Sequence, residues 1–221
     1  MSSERVKKRT AVLISGRGSN MASLIEAAKA PSYPAEIALV LSNRPDAAGL
    51  ERAREAGVET EVIDHTTFRE RREAFDATVQ ATLEQHRIDI VCLAGFMRLL
   101  TPWFVGRWEG RLLNVHPALL PAFRGLNTHA RALAAGVRIH GATVHFVTPE
   151  VDSGPIVVQA AVPVRQDDTA TTLAARVLTV EHRIYPQALR LVAEGRARVV
   201  GDRCTISGRD AEVGTLIVPA E

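Results

Sequence analysis

The amino-acid sequence predicts an α/β protein whose central sheet is mostly parallel and carries helices on both faces. Two observations support this class. Short apolar runs without polar alternation recur along the first half of the chain, and longer amphipathic segments separate them, as is typical of buried parallel strands. In the second half, two strand-like runs follow each other with only the turn PEVDSGP between them. We therefore expect the C-terminal part of the sheet to be antiparallel.

The predicted strands share an aliphatic run bounded by turn residues. They cover residues 10–15, 36–42, 61–63, 89–94, 111–116, 140–147 and 155–164. The tail segment VVGDRCTIS predicts a small hairpin with a Gly-Asp-Arg turn.

The predicted helices carry apolar residues at helical spacing. They cover residues 20–30, 49–56, 68–86, a short segment that begins at Thr101-Pro102, 128–135 and 169–194. Pro102 favours a start there because proline suits the first helical position. In the last helix, Pro186 should cause a kink. That helix has one apolar stripe, formed by Leu173, Val177, Ile184, Ala188 and Leu191.

Length, charge and cysteine content limit the classes of protein to consider. A chain of 221 residues fits one domain, and its formal charge of +2, with dispersed basic residues, argues against a nucleic-acid partner. No stretch resembles a signal peptide or a membrane span. The two cysteines form no close pair, and Cys92 lies in the apolar run IDIVCLAGF, where we expect a buried, inert thiol. These features predict a cytoplasmic protein that acts on small molecules.

A glycine turn, ISGRGSN, stands between the first predicted strand and helix. Gly16 and Gly18 let the backbone approach a ligand, and the amides of Gly18, Ser19 and Asn20 would open the helix, where phosphate binds well. Met21 occupies the third glycine position of the dinucleotide fingerprint, and no acidic residue ends the second strand. A monophosphate is therefore favoured over NAD. The alternative is a plain tight turn with Ser19 or Asn20 as helix cap.

The segment LLNVHPALLP places an amide and an imidazole at the end of a strand. Alternate side chains of a strand share a face, so Leu112, Asn114 and His116 point together while Val115 points away. Ligands of open α/β sheets bind at this carboxyl end. Histidine exchanges protons near neutral pH, and an amide can stabilise an oxygen that gains charge. The alternative is that both side chains only cap backbone groups.

Asp152 lies in the turn TPEVDSGP, which Gly154 and Pro155 make rigid. An aspartate in a turn can be purely structural and satisfy its own backbone. Its functional use would be as a carboxylate beside His116 that favours the protonated imidazole. The sequence alone leaves both interpretations open.

The loop GFMRLL directly follows a buried strand. Its side chains Phe96, Met97, Leu99 and Leu100 cannot all point into the core from a loop. An apolar loop with free backbone amides would suit a flat, hydrogen-bonding heterocycle. The alternative is the start of a helix that packs inward.

A metal site is not expected. His140 and His145 are separated by an odd number of residues, so they lie on opposite faces of their predicted strand. No H-x-x-x-H motif or carboxylate cluster accompanies them.

Taken in order, these segments resemble the phosphoribosylglycinamide formyltransferase family, the folate-dependent enzymes of purine synthesis within the wider formyltransferase superfamily. The stretches that carry the resemblance extend from about residue 10 to residue 194: VLISGRGSN, GLERAREAG, LAGFMRLL, LLNVHPALLPAFRG, HGATVHFVTPEVDSGPIVVQ and EHRIYPQAL. HPALLP alone indicates only the superfamily. ISGRGSN together with the D-x-G-P turn and EHRIYP is much more specific.

The resemblance implies a Rossmann-like formyltransferase fold, 10-formyltetrahydrofolate as co-substrate and formyl donor, no metal, and the amine of 5-phosphoribosylglycinamide as acceptor. The chain would form one domain over residues 1–221. Its phosphoribosyl-substrate half would cover about residues 1–100, its folate and catalytic half about residues 101–195, and a short C-terminal tail would follow. The oligomeric state would be monomer or homodimer.

The resemblance also assigns roles to individual residues. Asn114 would contact the formyl oxygen, His116 would be the proton donor, and Asp152 would favour its protonated form. The phosphoribosyl substrate would be held by Gly18, Ser19, Asn20 and Glu181. The folate would be contacted by Arg72, Met97, Arg98, Leu99, Leu100, Asn114, Thr148, Pro149, Glu150 and Val151.

Two positions depart from the family pattern. An extra residue in FRERREAFD makes the choice of Arg72 over Arg71 a matter of alignment. Arg124 in PAFRG resembles the arginine that methionyl-tRNA formyltransferases have at this place.

Three other functions are compatible with parts of the pattern. A methionyl-tRNA formyltransferase would need an additional C-terminal tRNA-binding domain, and a formyltetrahydrofolate hydrolase usually has an N-terminal regulatory domain. A non-catalytic module that binds phosphoribosyl ligands would not need His116.

Overall fold

The computed structural model describes residues 6–208 and Val218; residues 1–5, 209–217 and 219–221 lie outside these ranges. Its main feature is a seven-stranded sheet in the order β3-β2-β1-β4-β5-β6-β7. The first five strands are parallel to one another, whereas β6 is antiparallel to both β5 and β7. The strands are β1 (Lys8–Ile14), β2 (Ala35–Ser42), β3 (Thr60–Val62), β4 (Ile90–Leu93), β5 (Leu112–His116), β6 (Ile139–Phe146) and β7 (Ile156–Pro163). The predicted fold class is confirmed.

Within residues 6–208, six α-helices connect and cover these strands. They are α1 (Ser19–Ala28), α2 (Gly49–Glu55), α3 (Arg72–Gln85), α4 (Pro102–Arg107), α5 (Thr128–Ala134) and α6 (Ala170–Ala193). Pro102 is the first residue of α4, and Thr101 caps that helix by accepting from the Phe104 amide, as the sequence predicts.

Two hydrophobic cores lie on opposite faces of the sheet, because successive strand residues point to opposite sides. On one face, Val12 and Ile14 of β1 pack in the same cluster as residues of α1 and α6. On the other face, Ala11 and Leu13 join residues of α3 and α4. Both faces are therefore covered, which explains the continuous apolar runs of the central strands.

Helix α6 buries the predicted stripe and continues through Pro186 without interruption. Its start is fixed by a capping box, in which Thr169 and Thr172 exchange hydrogen bonds between side chain and backbone. The kink predicted at Pro186 stays a prediction. The single-domain assignment over residues 1–221 also stays a prediction, since it includes residues outside the described ranges.

The predicted helix over residues 68–86 is wrong at its start. A 3₁₀ helix occupies His65–Phe68, capped by the Asp64 side chain, and α3 begins only at Arg72. Between them Arg69 has a φ of 50°. The left-handed backbone at this residue cannot continue a right-handed helix, so the charged run splits into two elements.

The predicted C-terminal hairpin is confirmed. Strands β8 (Ala197–Val200) and β9 (Arg203–Ile206) pair in antiparallel fashion across a turn at Gly201 and Asp202. Gly201 has a φ of 59°, a conformation in which glycine carries no steric cost. Within residues 6–208, no helix is long and apolar enough to cross a membrane.

Candidate active site

A cavity of about 370 Å³ opens at the carboxyl ends of β1 and β4, the point where the strand order reverses direction. Such a switch point is the usual ligand crevice of an open α/β sheet. The walls come from the glycine turn after β1, the ends of β2 and β4, and the 3₁₀ helix. The lining residues are Ser15, Gly16, Arg17, Gly18, Ser19, Asn20, Asn43, Arg44, His65, Ala94, Gly95 and Met97.

The glycine turn owes its shape to Gly18 rather than Gly16. Gly18 has a φ of 70°, and a Cβ there would lie 2.9 Å from the Cα of Gly49. Gly49 in turn donates its amide to the Gly16 carbonyl at 3.0 Å, which holds the start of α2 against the turn. No side chain caps α1, so the alternative of Ser19 or Asn20 as helix cap is wrong. The amides of the first turn of α1 therefore lack a side-chain acceptor and face the crevice edge.

Ser15 links the two loops that border the cavity. Its Oγ donates to Asn43 Oδ1 at 2.6 Å and accepts from the Met97 amide at 2.7 Å. The sequence reasoning missed Ser15, Asn43 and His65 as cavity residues. The sequence does show polar residues at the end of β2, but in the sequence analysis they only argue against a dinucleotide site.

Asn20 and Glu181 meet beside the glycine turn, as the resemblance implies. Asn20 Nδ2 donates to Glu181 Oε2 at 2.6 Å, and burial raises the pKa of Glu181. Among the described residues, buried Asn20 Oδ1 has no hydrogen-bond partner. A buried acceptor without a partner is costly, so it fits a site where a ligand donates a hydrogen bond.

Asn114, His116 and Asp152 come together at the end of β5. His116 Nδ1 lies 3.4 Å from Asp152 Oδ2, and both side chains are largely buried. Asp152 Oδ2 also accepts from the Gly125 amide at 2.8 Å. Asn114 lies opposite His145 of β6 on one side and opposite Leu93 of β4 on the other. Leu93 directly precedes Ala94, which lines the cavity. The three residues themselves are not among those that line the cavity, and Asn114 connects them to it through its partner Leu93.

Both ring nitrogens of His116 face acceptors. Nδ1 faces the Asp152 carboxylate, and Nε2 lies 3.0 Å from the Phe123 carbonyl oxygen. A carbonyl only accepts, so Nε2 carries a hydrogen. An imidazolium ring satisfies both contacts, and it is the form that can give a proton from Nδ1.

His145 fixes the orientation of the Asn114 amide. Its Nδ1 lies 2.8 Å from the Phe146 carbonyl oxygen and must be the donor there. Burial lowers the pKa of His145, which favours the neutral ring, and Nε2 is the acceptor in its contact with Asn114 because an amide nitrogen only donates. Asn114 Nδ2, at 3.3 Å, donates to that nitrogen and keeps a second N–H for a ligand. The sequence reasoning considered His145 only as a metal ligand.

The loop after β4 presents apolar side chains to solvent. Met97 is 73% exposed and Leu99 is 59% exposed. Arg72 donates to the Leu99 carbonyl oxygen at 2.9 Å, which places this arginine against the loop. The Arg98 guanidinium stacks on the Phe75 ring, with its carbon 4.5 Å from the ring centre, and does not line the cavity.

The turn between β6 and β7 holds Asp152 in a left-handed conformation, with a φ of 51°. Thr148 and Ser153 both donate to the Glu150 carbonyl oxygen and tie the turn together. Gly154 is required because a Cβ there would lie 1.8 Å from the Phe146 carbonyl oxygen. Pro149, Glu150 and Val151 stay exposed around the carboxylate. The rigidity predicted for this turn therefore serves to place Asp152.

The described part of the chain contains no group of three or more His, Cys, Asp or Glu side chains that could hold a metal ion. His140 and His145 lie on opposite faces of β6: His140 contacts the Phe123 ring, and His145 contacts Asn114. Cys92 is fully buried, as expected, and burial raises the pKa of its thiol to about 12; its inertness stays a prediction.

The fold and the site define an α/β protein of Rossmann type with an Asn-His-Asp arrangement at the carboxyl ends of its strands. The chain belongs to the formyl transferase family, since residues 8–189 match the family described as Formyl transferase. This confirms the family that the sequence motifs indicate.

Named relatives refine the similarity. The chain is 45% identical over 198 residues to phosphoribosylglycinamide formyltransferase of Escherichia coli (strain K12), covering 90% of this chain and 93% of that protein. It is 50% identical over 196 residues to the trifunctional purine biosynthetic protein adenosine-3 of Homo sapiens, covering 89% of this chain but only 19% of that protein. The chain therefore spans about a fifth of the trifunctional relatives' length. The solved structure of glycinamide ribonucleotide transformylase 1 from Symbiobacterium toebii superposes with a TM-score of 0.87 at 48% identity, over 90% of this chain and 94% of that one.

Proposed function

We propose that the chain transfers the formyl group of 10-formyltetrahydrofolate to the amine of 5-phosphoribosylglycinamide, in purine biosynthesis. The observation that carries the proposal is the Asn114–His116–Asp152 arrangement beside the glycine-turn cavity. The names of the family's relatives point to the same reaction. A cytoplasmic location and a monomeric or dimeric state stay predictions.

The acceptor's phosphoribosyl part fits the cavity of the glycine turn. The amides of Gly18, Ser19 and Asn20 would bind the phosphate, because α1 has no side-chain cap and a helix N-terminus attracts anions. Arg17 lines the same cavity and adds positive charge. The Glu181 carboxylate and Asn20 Oδ1 are both acceptors, which suits the hydroxyl groups of a ribose.

The donor's pterin would bind against the apolar loop that follows β4, where Met97 also lines the glycine-turn cavity. Exposed Met97, Leu99 and Val151 offer apolar surface, and the backbone of the two loops offers hydrogen-bonding groups for a heterocycle. Arg72 is available for the negatively charged glutamate tail, because it lies against the loop at Leu99. Arg98, Leu100, Thr148, Pro149 and Glu150 would complete these walls, in part through their backbones.

The site's chemistry follows from its donors. Asn114 has one free N–H, which can donate to the formyl oxygen as the amine attacks. His116 Nε2 is already bound to the Phe123 carbonyl oxygen, so an imidazolium at His116 would contribute through its positive charge beside the reacting group. The proton that the attacking amine must lose is delivered to the leaving folate nitrogen as the bond between that nitrogen and the formyl carbon breaks, through His116 Nδ1 or through water beside Asp152, so that His116 ends in the form in which it began. Asp152 keeps the ring oriented and balances its charge. Nothing in this sequence of steps requires a covalent enzyme intermediate.

Initial-rate assays with and without the amine test the proposal. The protein is mixed with 10-formyltetrahydrofolate, and deformylation of the folate is followed by absorbance. Deformylation that depends on phosphoribosylglycinamide, and that His116→Ala abolishes, supports the transferase. Equal deformylation without the amine would indicate a formyltetrahydrofolate hydrolase. Formylation of methionyl-tRNA but not of phosphoribosylglycinamide would indicate a methionyl-tRNA formyltransferase. Binding of phosphoribosylglycinamide without turnover would indicate a non-catalytic module.

A further inference from the structure

Residues 122–127, here called the strap, connect the end of β5 to α5 and contact both members of the His116–Asp152 pair. The Phe123 carbonyl oxygen lies 3.0 Å from His116 Nε2. Two residues further on, the Gly125 amide donates to Asp152 Oδ2 at 2.8 Å. The conformation of the strap therefore sets where the imidazole and the carboxylate stand relative to each other.

The strap's backbone is unusual because it repeatedly enters the left-handed region. Phe123 has a φ of 55°, Gly125 of 80° and Asn127 of 56°. For a bulky residue such as phenylalanine this conformation is sterically unfavourable, so it persists only where surrounding contacts hold it. The Phe123 ring packs edge-on against His140, with ring centres 5.6 Å apart. The backbone itself needs a further support.

Arg131, one turn into α5, supplies that support. Its Nη1 donates to the Arg124 carbonyl oxygen and, at 3.4 Å, to the Leu126 carbonyl oxygen. Its guanidinium also lies over the Phe123 ring, 5.7 Å from the ring centre. A single exposed side chain thus contacts the Phe123 ring and two carbonyl oxygens of the strap, those of Arg124 and Leu126.

The Arg124 carbonyl and the Gly125 amide belong to one peptide group. Arg131 binds the oxygen of this peptide, and the N–H on its opposite side donates to Asp152. Because a peptide is planar, a cation on the oxygen fixes the direction of the N–H. Hydrogen bonds in series also polarise each other, so the arginine strengthens the bond to the carboxylate. Rotation of this peptide would remove the amide from Asp152 altogether.

We infer that Arg131 is a positioning residue for formyl transfer: it fixes the Arg124–Gly125 peptide and thereby holds Asp152 against Nδ1 of His116. Arg131 touches no reacting atom in this account. The contact of Arg124 Nη1 with Glu150 Oε1, at 3.0 Å, is a second tie between the strap and the Asp152 turn, but it is solvent-exposed and contributes less. The inference rests on the proposed function for its kinetic consequence only.

The kinetic test compares Arg131→Ala, Arg131→Lys and the control Arg138→Ala, an exposed arginine just beyond α5. Arg131→Ala should lower kcat about tenfold or more, with both KM values changed less than threefold. Arg131→Lys should recover most of kcat, because an ammonium can still donate to the Arg124 carbonyl oxygen. Arg138→Ala should behave as the unmodified protein. Unchanged kcat in Arg131→Ala, or equal losses in the alanine and lysine variants, would overturn the inference.

A spectroscopic test keeps the inference separate from the proposed function. Nitrogen-15 NMR of the His116 ring in the ligand-free protein reports on the contacts of its two nitrogens with the Phe123 carbonyl oxygen and the Asp152 carboxylate. Amide proton NMR reports on the Gly125 N–H. Arg131→Ala should move the Gly125 amide and the His116 Nδ1 signals, and Arg138→Ala should move neither. If the protein lacks transferase activity but these shifts occur, the proposed function fails and the positioning role stands. If the signals do not move, the positioning role fails whatever the activity.

Discussion

Asp152→Asn is the substitution that most directly tests the charge in the site. Asparagine has the size of aspartate, tolerates the left-handed backbone found at this position, and can still accept from the Gly125 amide. The variant therefore removes a negative charge and little else. Its effect on turnover measures how much the carboxylate contributes through His116.

The size of the effect follows from the distance between the two groups. Opposite charges separated by the 3.4 Å between His116 Nδ1 and Asp152 Oδ2 attract by about 5 kcal/mol at an effective dielectric constant of about 20. If solvent and the new amide compensate about half of this, the barrier rises by about 2–3 kcal/mol. Since about 1.4 kcal/mol corresponds to a tenfold rate change, kcat should fall roughly 30- to 150-fold. The KM values for both substrates should change little.

Steady-state rates with both substrates varied, measured by absorbance of the folate, give kcat and KM separately. Asp167→Asn is the matched control, because Asp167 is an exposed aspartate distant in the chain from every site residue. Circular dichroism and thermal unfolding of both variants establish that they fold. A kcat for Asp152→Asn within twofold of the unmodified protein would refute the charge argument, and a loss that appears only in KM would reassign Asp152 to substrate binding.

Three further predictions concern other buried groups. Glu181→Gln should raise the KM for phosphoribosylglycinamide about tenfold and leave kcat and the folate KM nearly unchanged. The reason is that the substrate loses a charged acceptor while Asn20 keeps a hydrogen-bond partner. Rate measurements with each substrate varied in turn check this. Burial lowers the pKa of His140 to about 4, so between pH 6.5 and 4 the unfolded chain binds a proton that the folded chain does not. The free energy of unfolding should therefore fall by up to about 2–3 kcal/mol as the pH drops through this window. Urea unfolding of His140→Gln should show a smaller dependence of this free energy on pH. Cys92 should not react with a thiol reagent at pH 8 until the protein is unfolded, whereas partly exposed Cys204 should react slowly in the native state. Equally fast reaction of both cysteines in the folded protein would contradict this.

The sequence predicts much of the fold because burial on both faces leaves a clear pattern. Apolar runs locate the ends of the strands to within two residues, and the change to paired runs locates the antiparallel end. The start of α3 could not be predicted in this way. The run from Phe68 to Arg72 has the charge pattern of a helix, and only the left-handed backbone at Arg69 ends the first element. Local backbone strain of this kind leaves no periodic signal.

The catalytic region shows a similar division. The polar end of β5 is visible in the sequence because Asn114 and His116 interrupt an apolar strand. The approach of Asp152 is not visible, since it depends on the antiparallel pairing of β5 with β6 and on the turn that follows. His145 was misjudged for the same reason: its partner Asn114 lies directly opposite on the neighbouring strand, and register between strands cannot be read from spacing within one strand.

Arg131 illustrates why an exposed arginine carries so little information in a sequence. It lies on the polar face of a short helix, where arginine is ordinary, and its importance arises from the peptide it binds. That peptide has acceptor and donor on opposite sides, so it transmits the position of the guanidinium to Asp152 without any side chain between them. A contact through the backbone is independent of the identity of Arg124, which can therefore vary while the connection persists. Positioning of this kind is specified by the left-handed backbone of the strap, and only a structure displays it.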